Sequence, residues 1–264
     1  MLVEIIWDIN PEIVRFGDFA IRWYGLLFAS AFMAGQYVMS KMYKQEGKKE
    51  EDVDTLLMYT IAATVLGARL GHCLFYEPEY YLANPLKILM VWEGGLASHG
   101  AAVGILLGIY LYSRTKADQS YLWLLDRVVI VVALGGAFIR LGNLMNSEIV
   151  GLPTDLAWGF VFVKNNETFA RHPAQLYESV SSLLLFFSLY ALYNRKKEHT
   201  PQGQIFGIFL IVLFGLRLVY EFFKENQVGF ENGMPLNMGQ ILSIPLILAG
   251  FVVLFRSFRK SQTS

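Results

Sequence analysis

The sequence predicts an all-α integral membrane protein with seven transmembrane helices, and composition, apolar periodicity and loop charge each point there. Of 264 residues, 55% are hydrophobic and 17% charged, and the mean hydropathy is +0.41. Soluble domains do not have that balance. Apolar runs fall at about residues 19–40, 55–76, 96–114, 122–142, 175–193, 205–223 and 240–257, each close to the roughly 20 residues a spanning helix needs.

Lys and Arg are retained on the cytoplasmic side of a membrane, so loop charges orient the bundle. Lys41, Lys44, Lys48 and Lys49 follow the first span, Arg114 and Lys116 the third, Arg195, Lys196 and Lys197 the fifth, and Arg256, Arg259 and Lys260 the seventh, which makes twelve on one side. Arg15, Lys87, Lys164, Arg171 and Lys224 make five on the other. The N-terminus is therefore expected outside and the C-terminus in the cytoplasm, as an odd number of spans requires. Residues 1–18 carry Glu4, Asp8, Glu12 and Asp18 against one Arg15. A cleavable signal would begin basic, so the first span is expected to act as its own insertion signal. The zero net charge says little about partners beyond the lipid bilayer, and no nucleic acid is expected among them.

The chain reads as a single polytopic membrane domain over 1–264, with no internal repeat and no low-complexity tract. Residues 143–174 form the longest connection. The strand-like run Trp158–Val163 and the turn-like 164–167 segment predict a small extracytoplasmic cap there. The single cysteine, Cys73, excludes an internal disulfide and a cysteine metal cluster, and its place in an apolar run predicts a buried packing residue.

The polar residues within the spans gather toward one end. On the predicted orientation Tyr24, His99, His172, Gln175 and Glu178 stand near the starts of inward-running spans, while Arg69, Arg140 and Arg217 stand late in outward-running ones. All fall in the outer half. A charge at the centre of a spanning helix costs roughly 2.5–3.5 kcal/mol, so three arginines call for anionic partners or water, and mark a site. Asp126 and Arg127, near the inner start of the fourth span, are expected to snorkel to the interface.

The densest polar group is Arg140-Leu-Gly-Asn143-Leu-Met-Asn146-Ser-Glu148-Ile-Val-Gly151. Arg140, Asn143 and Asn146 recur every three residues, so a continuing helix would place a planar cation and two amides on one face, suited to an oxyanion or phosphoester. A helix end opening into a polar loop is the structural alternative, and it suits Asn146 and Glu148. His99 follows the flexible Gly94-Gly95 and opens an inward-running helix, where the helix dipole disfavours imidazolium and favours a neutral ring able to take a proton. A polar residue wetted at the interface is equally consistent with that position. In His172-Pro-Ala-Gln-Leu-Tyr-Glu178, proline suits the first helical position, so His172 reads as a cap, with Gln175 and Glu178 on an exposed outer turn. Arg217 and Glu221, spaced i, i+4, can form an ion pair. Such a pair can serve neutralisation alone, although buried pairs seldom stabilise relative to apolar residues.

At these residues the chain resembles the bacterial prolipoprotein diacylglyceryl transferases, in order and over nearly the whole length. The resemblance runs through Arg22-Trp-Tyr-Gly25, Gly67-Ala-Arg-Leu-Gly71, Trp92-Glu-Gly-Gly95 leading to His99-Gly100, Arg140 to Gly151, His172 to Glu178, Arg217 to Glu221, and Met238-Gly-Gln-Ile-Leu-Ser243. It implies transfer of a diacylglyceryl group from phosphatidylglycerol to the lipobox cysteine thiol of a prolipoprotein, whose signal peptide lies in the bilayer. A thioether forms and glycerol phosphate leaves, with no metal or cofactor. It also implies that Arg140 and Arg217 neutralise the phosphate, that Tyr24, Asn143 and Glu148 line the site, and that His99 is the essential histidine, able to deprotonate the thiol. Thiolate formation assisted by the cationic field is the other route. Arg69, Asn146, Gly151, His172, Gln175, Glu178 and Glu221 complete the expected substrate-binding set. Three positions depart from the family pattern: Ala101, Ile139 and Ser147 stand where glycine is usual, each adding side-chain volume.

A transporter would place polar groups near the midplane, often on broken helices in related halves. An intramembrane protease would need a serine-histidine pair, paired aspartates or a zinc motif. The nearest approach is Ser98-His99, whose side chains diverge by about 100° on a helix. Both readings fit less well than the transferase. The orientation is checked by single cysteines in a Cys73→Ala background. One at Asn166 should react with a membrane-impermeant maleimide in intact spheroplasts, and one at Glu50 only after lysis; the reverse pattern would turn the site to the cytoplasm.

Overall fold

The computed structural model describes residues 5–17, 19–225 and 233–263; Glu4 and Asp18, used above, lie outside them. Each expected apolar run is helical over most of its length: α1 (Trp23–Gln45), α2 (Glu51–Phe75), α4 (Ser98–Ser113), α5 (Tyr121–Met145), α6 (Ala174–Lys196), α7 (Gln204–Tyr220) and α8 (Met238–Thr263). A short α3 (Pro78–Ala83) lies in the connection between α2 and α4. Among the described residues, five helical stretches are long and apolar enough to cross a membrane: Glu51–Phe75, Tyr121–Met145, Ala174–His199, Gln204–Phe223 and Met238–Arg259. His99–Ser113 is a shorter apolar helix. α1 has 23 residues, but Gly25, Ser30, Gly35 and Gln36 dilute its apolar run, and it falls outside that group.

Residues 19–22 do not belong to the first helix, as the apolar run had predicted. They form β3 (Phe19–Arg22), antiparallel to β2 (Glu12–Phe16), with Phe16 opposite Phe19. Gly17 in the connection has φ +59°, the left-handed conformation that glycine adopts at least cost. In a second pair, β1 (Ile5–Trp7) runs parallel to β4 (Phe160–Phe162); β4 falls within the predicted strand-like run, and β1 was not expected. The 3₁₀ turn Val163–Asn165 and the left-handed Asn166 follow it.

The chain divides into two compact units, residues 1–38 with 126–264, and residues 39–125. In the smaller unit α2 and α4 pack closely because glycines face each other. A Cβ on Gly71 would lie 2.7 Å from Gly100 Cα, and one on Gly104 would lie 3.0 Å from Gly67 Cα. Small residues let helix backbones approach where lipid supplies no hydrophobic drive between helices. One end of this unit is held by polar contacts: the hydroxyls of Tyr43 and Tyr112 each donate to Gln119 Oε1 at 3.0 Å, and Gln119 Nε2 donates to Asp52 Oδ2 at 2.7 Å. Cys73 is buried, as expected.

In the larger unit the expected snorkelling of Asp126 and Arg127 does not occur; both are fully buried. Asp126 accepts backbone N–H bonds from Gly203 at 2.7 Å and Phe206 at 2.8 Å. It caps the start of α7 from another helix, supplying partners that a helix N-terminus lacks. The guanidinium of Arg127 stacks 5.7 Å from the Tyr193 ring centre. Tertiary partners thus replace the interface that the positions had suggested.

The glycine contacts give a stability test. Gly104→Leu should lower the thermal midpoint of purified protein by several degrees, because backbone lies where its side chain must go. Gly135→Ala, with nothing within 4 Å of its Cβ position, should hold or raise it, since alanine is the better helix former.

Candidate active site

The larger unit gathers most of the expected residues around the ends of three helices. Arg140, on the last turns of α5, meets Glu178 of α6 through Nε and Oε2. Its Nη1 donates to Asn143 Oδ1 at 3.3 Å. Asn143 Nδ2 in turn donates to Glu148 Oε2 at 3.2 Å, and Asn146 Nδ2 donates to Glu148 Oε1 at 3.1 Å. α5 ends at Met145, so Asn146 leaves the shared helical face and reaches Glu148 from the loop. Gln175 Nε2 holds that loop by donating to the Glu148 carbonyl.

The expected exposed outer turn of α6 is instead buried: Gln175 is 1% exposed and Glu178 8%. His172 does not cap the helix. Pro173 occupies the cap position with no side-chain hydrogen bond, and His172 Nδ1 lies 3.2 Å from the Tyr177 hydroxyl. That hydroxyl also receives Trp158 Nε1 at 2.9 Å. The Tyr24 ring packs against Gly142, where an added Cβ would fall 2.8 Å from Tyr24 Cδ2. This places Tyr24 beside the Arg140–Asn143 turn.

On α7, Arg217 Nε stands 3.6 Å from Glu221 Oε1, with the arginine side chain 48% exposed and the glutamate 7%. The predicted pair exists, but it is part of something larger. Lys224, counted above as a loop charge, is buried: its Nζ lies 3.1 Å from Glu178 Oε1 and 3.1 Å from Glu221 Oε1. Asn237 Nδ2 donates to the other Glu221 oxygen at 3.1 Å. The one signal of Lys224 in the sequence is its i, i+3 spacing from Glu221, which is weak because surface helices are full of such pairs.

The turn after Asn146 is sterically exacting. Ser147 and Ile149 both adopt φ +55°, which for residues other than glycine costs on the order of 1 kcal/mol or more. Ser147, where the resemblance predicts glycine, has a backbone that favours one. Gly151 is enclosed: an added Cβ would lie 2.6 Å from both Cβ and O of His172 and 2.7 Å from Phe223 O. Arg171, missed in the sequence as a site support, donates through Nη1 to the Gly151 carbonyl at 3.1 Å and through Nε to Glu167 at 2.6 Å. Partial burial disfavours its charge, but Glu167 and Glu225 outweigh that, and its pKa is raised.

The smaller unit holds the other two candidates. His99 lies in the first turn of α4, as predicted, exposed, stacked on Tyr76 with centroids 5.8 Å apart and edge-on to Phe75 at 5.5 Å. The Ser98 side chain, the nearest approach to a protease pair, lies outside the described residues. Arg69 is 2% exposed. Its Nε donates to Ile88 O at 2.9 Å, its Nη1 to Gly94 O and its Nη2 to Lys87 O, and its guanidinium lies 4.9 Å from the Tyr81 ring centre. This arginine clamps the 87–95 loop.

Apolar helices long enough to span a bilayer, carrying a cluster of alternating charges and amides, define a multi-pass membrane protein. The chain belongs to the prolipoprotein diacylglyceryl transferase family, whose model matches residues 11–256. Relatives named phosphatidylglycerol-prolipoprotein diacylglyceryl transferase include one from Chloroherpeton thalassium, 46% identical over 98% of this chain and 96% of its own length. One from Tolumonas auensis is 46% identical over 97% and 98%, and one from Porphyromonas gingivalis 41% identical over 98% and 96%.

Gly151→Ala tests the enclosed turn. The added methyl must displace either His172 or the Phe223 carbonyl, so transfer activity should fall at least tenfold while protein yield and helical content stay near wild type. Full activity would show that the turn yields at no cost.

Proposed function

We propose that this chain transfers the sn-1,2-diacylglyceryl group from phosphatidylglycerol to the lipobox cysteine thiol of prolipoproteins, the first step of bacterial lipoprotein maturation. One observation carries the reading. Arg140, Lys224 and Arg217 are three cations in direct contact with only two carboxylates, Glu178 and Glu221, which leaves one positive charge over among these ion pairs. The third carboxylate of the site, Glu148, is held by the amides of Asn143 and Asn146 rather than by a cation. A phosphodiester monoanion would neutralise the remaining positive charge in a medium where an unpaired charge is costly. Planar guanidinium groups suit phosphate oxygens better than a point charge does.

In this reading Arg140 and Arg217 hold the phosphate, and Tyr24, Asn143, Asn146 and Glu148 line the surrounding wall. Gly151, His172, Gln175, Glu178 and Glu221 fix its shape. Arg69 acts by holding its loop rather than by touching the lipid. The cysteine sulfur attacks the glycerol carbon bearing the phosphoester. A carbon–sulfur bond forms, the carbon–oxygen bond breaks, and glycerol phosphate leaves with the bonding electrons. The assignment of the thiol proton to His99 rests on its motif and on its exposed imidazole. We also place seven spans in the bacterial cytoplasmic membrane, N-terminus outside, with the site toward the outer leaflet, where an exported lipobox cysteine and phosphatidylglycerol are both present.

The test is purified protein in phosphatidylglycerol liposomes with a lipobox peptide, scored by peptide mass. A diacylglyceryl adduct is expected; no adduct, or equal turnover with a zwitterionic lipid, would sink the reading. Arg217→Lys should lose at least tenfold in rate. His99→Gln should fold and bind lipid yet lose most of its rate at neutral pH, with the remainder rising as pH approaches the thiol pKa of roughly 8.5. A normal rate at neutral pH would make His99 structural.

A further inference from the structure

Five charged side chains alternate in sign across α5, α6, α7 and the segment that follows α7: Arg140, Glu178, Lys224, Glu221, Arg217. Lys224 is the centre of the series and its least exposed member, with a side chain 2% exposed. It lies just past α7, and its backbone pairs with Gly151. The shortest contact of each arginine with its carboxylate is through Nε.

We propose that Lys224 is a positioning residue for the lipid phosphate, a role that rests on the transferase reading. An ammonium has three donors and no fixed plane, so one lysine can face carboxylates from two helices. Glu178 and Glu221 each place an oxygen 3.1 Å from the same nitrogen, which puts the two anionic groups within about 6 Å of each other. Like charges at that distance repel strongly away from water. Lys224 removes the repulsion and anchors one oxygen of each carboxylate, so that each arginine is met at its Nε. Nη2 of Arg140, whose Nη1 donates to Asn143, and both Nη groups of Arg217 are then left for phosphate. Without the lysine, each carboxylate is free to turn and grip its arginine in the bidentate, fork-to-fork manner that such pairs favour. The tips would then be occupied by protein, and the lipid would compete with them.

The consequence is a defect in phosphate affinity rather than in the chemical step. In phosphatidylglycerol liposomes, Lys224→Met should raise the KM for phosphatidylglycerol at least tenfold and leave kcat within about threefold. Inhibition by added glycerol phosphate should weaken by a similar factor. Lys224→Arg, which keeps the charge, should stay within about threefold of wild type in all three measurements. If Lys224→Met does not fold, Lys224→Gln, which keeps a polar side chain but no charge, should show the same rise in KM. Unchanged KM and unchanged inhibition in a folded variant, or a loss confined to kcat, would overturn the proposal. A wild-type protein that transfers nothing would overturn the transferase reading instead.

Discussion

The cost of charge in a low-dielectric medium is the constraint from which the larger unit is organised. Arg140 and Arg217 sit on helices that could have been apolar throughout, and each would be expensive alone. Glu178 and Glu221 meet them, but two buried carboxylates near one another create a new cost, which Lys224 offsets with contacts of 3.1 Å to each. Such ion pairs seldom stabilise a fold beyond what hydrophobic residues would contribute. Their persistence here fits the anion-binding role proposed for them.

That arrangement depends on backbone devices around it. α5 must end at Met145 so that Asn146 and Glu148 fold back over Asn143, and the left-handed backbone at Ser147 and Ile149 makes the reversal. Gly151 then lets the returning chain lie against His172 and the Phe223 carbonyl, and its pairing with Lys224 ties the α5–α6 connection to the segment after α7. Local strain at the turn is compensated by these contacts, as strained functional turns require.

Much of this was legible in the sequence, and the misses share a cause. Helices at the seven apolar runs, the strand near 160–162, His99 in a first helical turn and the Arg217–Glu221 pair follow from periodicity and spacing. Lys224, Asp126, Gln175 and Glu178 were misjudged because their surroundings come from distant elements: Asp126 reads as an interfacial residue until Gly203 and Phe206 present their N–H groups to it. Residues 19–22 looked like helix because a short half-apolar strand beside a long apolar run carries no distinct period. The carbonyls from residues 87–95 that receive Arg69's donors likewise could not be read from its charge and depth.

The central claim is that Arg140 and Arg217 form a receptor for an anionic phospholipid. Native mass spectrometry of the purified protein, equilibrated with equal amounts of phosphatidylglycerol and phosphatidylethanolamine, reads it directly. Wild type should retain phosphatidylglycerol preferentially, and the Arg140→Gln, Arg217→Gln double variant should retain the two lipids without preference. A double variant that keeps the wild-type preference would contradict the account.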